Sequence, residues 1–141
     1  SLLISACGFV ELPEYWLCRG NSLQELRTHS GHVLATYPGP DQVLLERYKD
    51  SVFQFNAPAL FGLYAVCPGK PDQLVFRAAD CSPEEPSADY REGVLNVING
   101  QLSFNDRREV QGHVAVVHAE YQCRLLGHTY TFRDLGLPDA H

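Results

Sequence analysis

"GVLNVINGQLSF", residues 93–104, decides the fold class. Asn99-Gly100 suits the two positive-φ positions of a type I′ turn. Pairing outward from it sets Ile98 opposite Gln101, Val97 opposite Leu102, Asn96 opposite Ser103 and Leu95 opposite Phe104. Leu95, Val97, Leu102 and Phe104 then share one face, with Asn96 and Ser103 on the other. That is an antiparallel hairpin with one side on a core and one in water.

The same period of two recurs on either side. In "HVAVVHAEYQC", residues 113–123, Ala115, Val117, Ala119, Tyr121 and Cys123 alternate with Val114, Val116, His118, Glu120 and Gln122, so Cys123 is expected to point inward. "HVLATY" (32–37) and "QVLLERY" (42–48) are β-rich runs separated by Pro38-Gly39-Pro40-Asp41, which reads as a hairpin turn. "SVFQF" (51–55) follows Lys49-Asp50, and "LFGLYAV" (60–66) and "QLVFRAA" (73–79) flank Pro68-Gly69-Lys70-Pro71-Asp72. "YWLC" (15–18) reads as an inward strand that buries Trp16, and "CRGNSLQEL" (18–26) after it as a turn. Only "SLQELRTH" (22–29) has apolar residues at helical spacing, and it is short. About eight to ten short strands joined by Pro/Gly turns indicate an all-β protein, an antiparallel β-sandwich or an up-and-down β-barrel. "CSPEEPSADYREG", 81–93, breaks the rhythm and reads as an exposed acidic loop, not a domain boundary, because neither side has enough strands for its own core.

The totals fit one domain. A chain of 141 residues can bury a single core unaided. Its 45% hydrophobic and 20% charged composition excludes a disordered chain. Seventeen acidic against eleven basic residues give a net charge of -6, which repels a phosphate backbone and favours a basic protein partner over nucleic acid. No apolar run approaches the roughly 18 residues that span a bilayer.

Catalytic and metal-binding patterns are missing. No C-x-x-C or C-x-x-H spacing occurs, and no Gly-x-Ser-x-Gly or phosphate-cradling glycine loop. His113 and His118 fall on opposite faces of a strand, and His29 and His32 lack a third ligand nearby, so no metal or cofactor is expected. The carboxylates Glu84-Glu85 and Asp106 with Glu109 read as parts of polar, wet loops, and Asp106 to Glu109 with Arg107-Arg108 as a mixed, solvated turn. A general acid needs burial to raise its pKa, so a non-enzymatic protein is expected.

Ile4-Ser5-Ala6-Cys7 resembles a bacterial lipobox, in which a cysteine after small residues is diacylated and becomes the mature N-terminus. The resemblance implies that residues 1–6 end a signal peptide and that 7–141 form a single β-domain. It also implies that the protein is anchored to the bacterial envelope through lipid on Cys7, in the periplasm, with no other contact to membrane. Setting Cys7 aside leaves Cys18, Cys67, Cys81 and Cys123, an even number suited to two disulfides in an oxidising compartment. Three pairings are open. In a 61–66/73–79 hairpin Cys67 sits at the turn end and Cys81 beyond the open end, about 20 Å away at strand rise, which favours Cys18 with Cys67 and Cys81 with Cys123.

"YWLC" early and "EYQC" late are similar to the cysteine-bearing terminal strands of MliC-type lysozyme inhibitor lipoproteins, small periplasmic β-barrels. The likeness covers those eight residues and the lipobox, and the family's Ser/Gly-rich inhibitory loop has no counterpart. It implies an inhibitor or immunity protein whose partner is a basic muralytic enzyme, met by the acidic residues Glu84, Glu85, Asp89 and Glu92. The alternatives are an accessory structural lipoprotein of an envelope or secretion assembly, contacting partners by a sheet edge, and a small-ligand carrier. An apolar interior cavity would favour the carrier, and a filled core with a protruding acidic loop the inhibitor.

Overall fold

In the computed structural model, which describes residues 11–56, 60–78, 81 and 90–136, all regular structure is β. Nine antiparallel strands follow one another: β1 (Glu14–Arg27), β2 (Val33–Pro38), β3 (Gln42–Arg47), β4 (Ser51–Asn56), β5 (Leu60–Cys67), β6 (Gln73–Arg77), β7 (Tyr90–Asn96), β8 (Gln101–Val110) and β9 (His113–Gly127). From β3 to β9 each strand pairs with the next, and β9 returns to β1, which also pairs β3. The result is a closed eight-stranded barrel with β2 added beside β1. Closure removes the open sheet edges that an antiparallel sandwich would leave, except at β2, which pairs only with β1 among the described strands.

β1 is one continuous strand, where "CRGNSLQEL" and "SLQELRTH" suggested a turn or a helical turn. β9 templates it along nearly its whole length, from Tyr15 opposite Gly127 to Arg27 opposite Val114. The weak helical spacing of Leu23 and Leu26 yields to a ladder formed on both edges of β1. Pro38-Gly39-Pro40-Asp41 does not make a hairpin either. β2 and β3 both run antiparallel to β1 on the same edge, with Leu23 opposite Pro38 and Arg19 opposite Gln42, so that three residues intervene on each strand and the register is preserved. Gly39 N donates to the Ser22 carbonyl at 2.9 Å, and Gly20 N to the Asp41 carbonyl at 2.9 Å, which carries the ladder across the interruption. The prolines fall where they can forgo donating. The reversal lies earlier, at Thr28 to His32, where Thr28 N donates to the His32 carbonyl at 2.9 Å.

The hairpin quoted at the outset forms with the expected faces and another turn. Leu95 lies opposite Leu102, not Phe104, a shift of two that keeps every side chain on its side. Asn96 Oδ1 accepts from the amides of Ile98 (2.9 Å) and Asn99 (3.1 Å), and Gly100 N donates to the Asn96 carbonyl at 2.8 Å. This four-residue connection needs only its last residue at positive φ, and Gly100 supplies it at 80°. The type I′ turn occurs instead at Gln111-Gly112 between β8 and β9, where both residues have positive φ, 49° and 81°. A glutamine is a poor occupant of that region and asparagine a good one. Gln111→Asn should therefore raise stability by up to about 1 kcal/mol, read as a higher urea midpoint at unchanged slope; a lower midpoint would contradict the turn assignment.

The lumen is filled at one end. Trp16, Cys18, Val43, Leu45, Val52, Leu74, Phe76, Leu95 and Leu102 form its buried core with Tyr64, Phe104, Tyr121 and Cys123. Trp16 and Cys123 thus point inward as their alternation requires. Outside the barrel, residues 128–136 fold back over β1 and β3. Gln42 Nε2 donates to the Leu135 carbonyl at 3.0 Å, and Tyr130 packs edge-on to Tyr15 at 4.7 Å. The outward-facing pair Leu17 and Leu44 is accordingly buried.

Both disulfides differ from the favoured pairing: Cys18 is bonded to Cys123 and Cys67 to Cys81. Cys18 and Cys123 face each other across the β1/β9 seam, with Cα atoms 3.9 Å apart. The β5/β6 hairpin remains intact, with Cys67 opposite Val75. Its second strand ends at Arg77, and the Cys81 sulfur lies 3.5 Å from the Val66 carbonyl oxygen. The β5/β6 ladder reaches only from Cys67 opposite Val75 to Ala65 opposite Arg77, too short to carry Cys81 to the far end of a long hairpin.

Candidate functional site

The open end of the lumen is polar. β8 continues inward-facing Leu102 and Phe104 with Asp106 and Arg108, and β7 continues inward-facing Leu95 and Gly93 with Arg91, which lies opposite Asp106. Arg91 Nε is 3.1 Å from Asp106 Oδ2, and Arg108 Nε is 3.6 Å from Oδ1. Asp106 is buried, only 7% exposed, while both guanidiniums reach the cavity beside it. The expectation of a wet turn from Asp106 to Glu109 is therefore corrected: all four residues of "DRRE" lie within a strand. The carboxylate stays buried because two guanidiniums surround it.

Phenols complete the mouth. Tyr64 Oη donates to Gln54 Oε1 at 2.9 Å and lines the cavity together with Arg91. Across the barrel, Tyr121 Oη donates to the Pro40 carbonyl at 2.8 Å. The interrupted strand thus has a use here: Gly39 and Pro40 line the cavity beside Ser22. The cavity is about 290 Å³ and closes below on Phe104 and Ala119.

Burial pushes the Tyr64 phenol above its ordinary value against the opposing pull of Arg91, and burial does the same to Tyr121. On the outer face, Tyr15 is raised chiefly by its 2.6 Å hydrogen bond to the Glu46 carboxylate, and Tyr48 by burial and the same carboxylate. Each phenol prefers its proton more in the folded state than in the unfolded chain. The stability they contribute is therefore full below about pH 10 and is lost as pH rises through the folded values. The share of tyrosinate absorbance that comes from Tyr15, Tyr48, Tyr64 and Tyr121 should lag behind that of free tyrosine and then rise together with loss of β circular dichroism. Ionisation of those four phenols completed near pH 10 with the fold intact would contradict this.

Of the residues expected to act, Cys7, Glu84, Glu85 and Asp89 lie outside the described residues. Glu92 is not in a loop but in β7, where its carboxylate accepts from Arg77 Nε at 2.5 Å. Cys18, Cys67, Cys81 and Cys123 are all bonded. His118 faces outward, its Nδ1 2.7 Å from Asn105 Oδ1. Among the described residues, no group of His, Cys, Asp and Glu could hold a metal ion. Sequence reading missed the Arg91/Asp106/Arg108 cluster, although the alternation from Leu102 through Phe104 continues to Asp106 and Arg108 without a break.

Compared with family models, curated proteins and solved structures, the chain matches none.

Proposed function

We propose that this chain is a non-enzymatic envelope lipoprotein, anchored through Cys7 in the bacterial periplasm, that binds and inhibits a cell-wall-degrading enzyme. The carrying observation is how the acidic segment 81–93 is held at its two ends. Cys81 is fixed to β5 through Cys67, and residues from Tyr90 onward are fixed in β7, where Glu92 pairs with Arg77. A segment tethered on both sides loses less freedom when a partner is engaged. Its charge, with a net of -6 over the chain, steers it toward a basic enzyme. A carrier of apolar ligands would need an open apolar lumen, and the filled core weighs against that.

Two measurements test this reading. Mass spectrometry of the protein made from its full gene in a bacterial host should find diacylglyceryl on Cys7, and an N-terminus still carrying Ser1 to Ala6 removes the anchor. The protein should also bind a basic lysozyme with an affinity that falls with salt and on Glu84→Gln with Glu85→Gln; absence of binding by the unaltered protein removes the inhibitor.

A second reading, an accessory structural lipoprotein, is favoured by β2. It pairs only with β1 among the described strands and exposes Val33, Leu34 and Tyr37. Such an edge can accept a strand from another protein.

A further inference from the structure

We propose that the polar mouth of the barrel binds a small hydroxylated carboxylate of the sugar-acid class. This inference stands apart from the inhibitor reading, which rests on segment 81–93.

Charge selects the ligand's sign and magnitude. Among the described residues lining the cavity, Arg91 and Arg108 bring two positive charges against the carboxylate of Asp106, leaving one positive charge there in a chain whose net charge is -6. A strand needs no such pair to fold, and a cation in the lumen of an acidic protein points to an anionic guest. The surplus of one matches a monoanion, because Asp106 would repel the second charge of a phosphate. Two guanidiniums also offer more N–H donors than one carboxylate can accept, and their fork geometry suits a second planar carboxylate. Asp106 is then a positioning residue: buried between the guanidiniums, it holds both toward the cavity.

The rest of the lining selects the ligand's body. Ser22, Gln24, Gln54, Tyr64 and Tyr121 place hydroxyls and amides around the walls, and Phe104 closes the floor with an apolar ring. Such a surface suits alternating hydroxyls and C–H faces better than a hydrocarbon chain. A volume of about 290 Å³ lies at the lower end for ligand pockets, so the guest is of monosaccharide size.

The test titrates the full chain with D-glucuronate and, separately, with D-glucose, which differs in lacking the carboxylate, following arginine Nε–H and backbone amide resonances by NMR. Glucuronate should shift the signals of Arg91, Arg108 and their β7/β8 neighbours saturably, and glucose should not. Arg108→Gln, at an accessible position, should weaken glucuronate binding at least tenfold while leaving the melting temperature within a few degrees. An equal response to both sugars overturns the carboxylate assignment. No saturable shift with either, or unchanged binding by a folded Arg108→Gln, overturns the site.

Discussion

Replacing Cys18 and Cys123 together with alanine should remove about 4 to 5 kcal/mol of stability, which is much of what a domain of this size has. The bond joins residues 105 apart in sequence, so in the unfolded chain it closes a loop that includes most of the protein. The entropy of such a loop rises with the logarithm of its length. Removing the Cys67–Cys81 bond, which spans 14 residues, should cost less, about 3 kcal/mol. Urea unfolding of the two double variants, each with its other disulfide intact, would give the order directly. Equal losses, or a larger loss from the shorter loop, would show that loop length does not set what each bond contributes. The buried position sharpens the expectation: Cys18 is 0% exposed, so alanine there also leaves a gap beside Trp16 and Val43.

Phe76→Ala should cost about 3 to 5 kcal/mol. The ring is fully buried at 0% exposure, meets Tyr64 edge-on at 5.2 Å, and covers Gly93 on the neighbouring strand. A Cβ built at Gly93 would fall inside the Phe76 ring, so Gly93→Val should be comparably damaging on its own. Together the two changes should cost well under the sum of the separate losses, because the valine occupies space the phenyl ring vacates. Thermal or denaturant unfolding of the two single variants and the double closes the cycle. Strict additivity would mean that the glycine is not there to admit the ring.

Much of this fold was legible because its faces obey a period of two. Leu95, Leu102 and Phe104 face the core even though the turn that joins their strands was misread, since a register shift of two leaves every face in place. Turn chemistry proved the less secure guide. Asn99-Gly100 carries a strong type I′ composition and forms another turn, whereas Gln111-Gly112 lacks the usual asparagine and forms the I′ turn, with the long β8/β9 ladder determining its geometry. Pro38-Gly39-Pro40 was misread for a related reason. Two prolines and a glycine do interrupt a strand, but only the length of β1 beside them shows that the strand resumes in register. The disulfide pairing was misjudged because the β5/β6 ladder is only three residues long.

The candidate site was hidden by its charges. "NDRREV" has the composition of a solvated turn, and only its place in β8 sends Asp106 and Arg108 inward and Arg107 outward. Arg91 joins them from another strand, at the end of a stretch whose composition reads as loop throughout. Such a cluster emerges from pairing and not from spacing along the chain.

Because β1 has β9 as its neighbour across the seam, the ring cannot close until the last strand has been made and delivered. During synthesis from the N-terminal end, β1 to β8 can form only a curled, open sheet, with one side of β1 and one side of β8 unsatisfied. Over that interval Cys18 waits as a thiol while Cys67 and Cys81 are already close enough to join, so the short bond should form first and spare Cys18 two competing partners. The short separation of Cys67 and Cys81 would thereby limit the wrong cross-links open to Cys18.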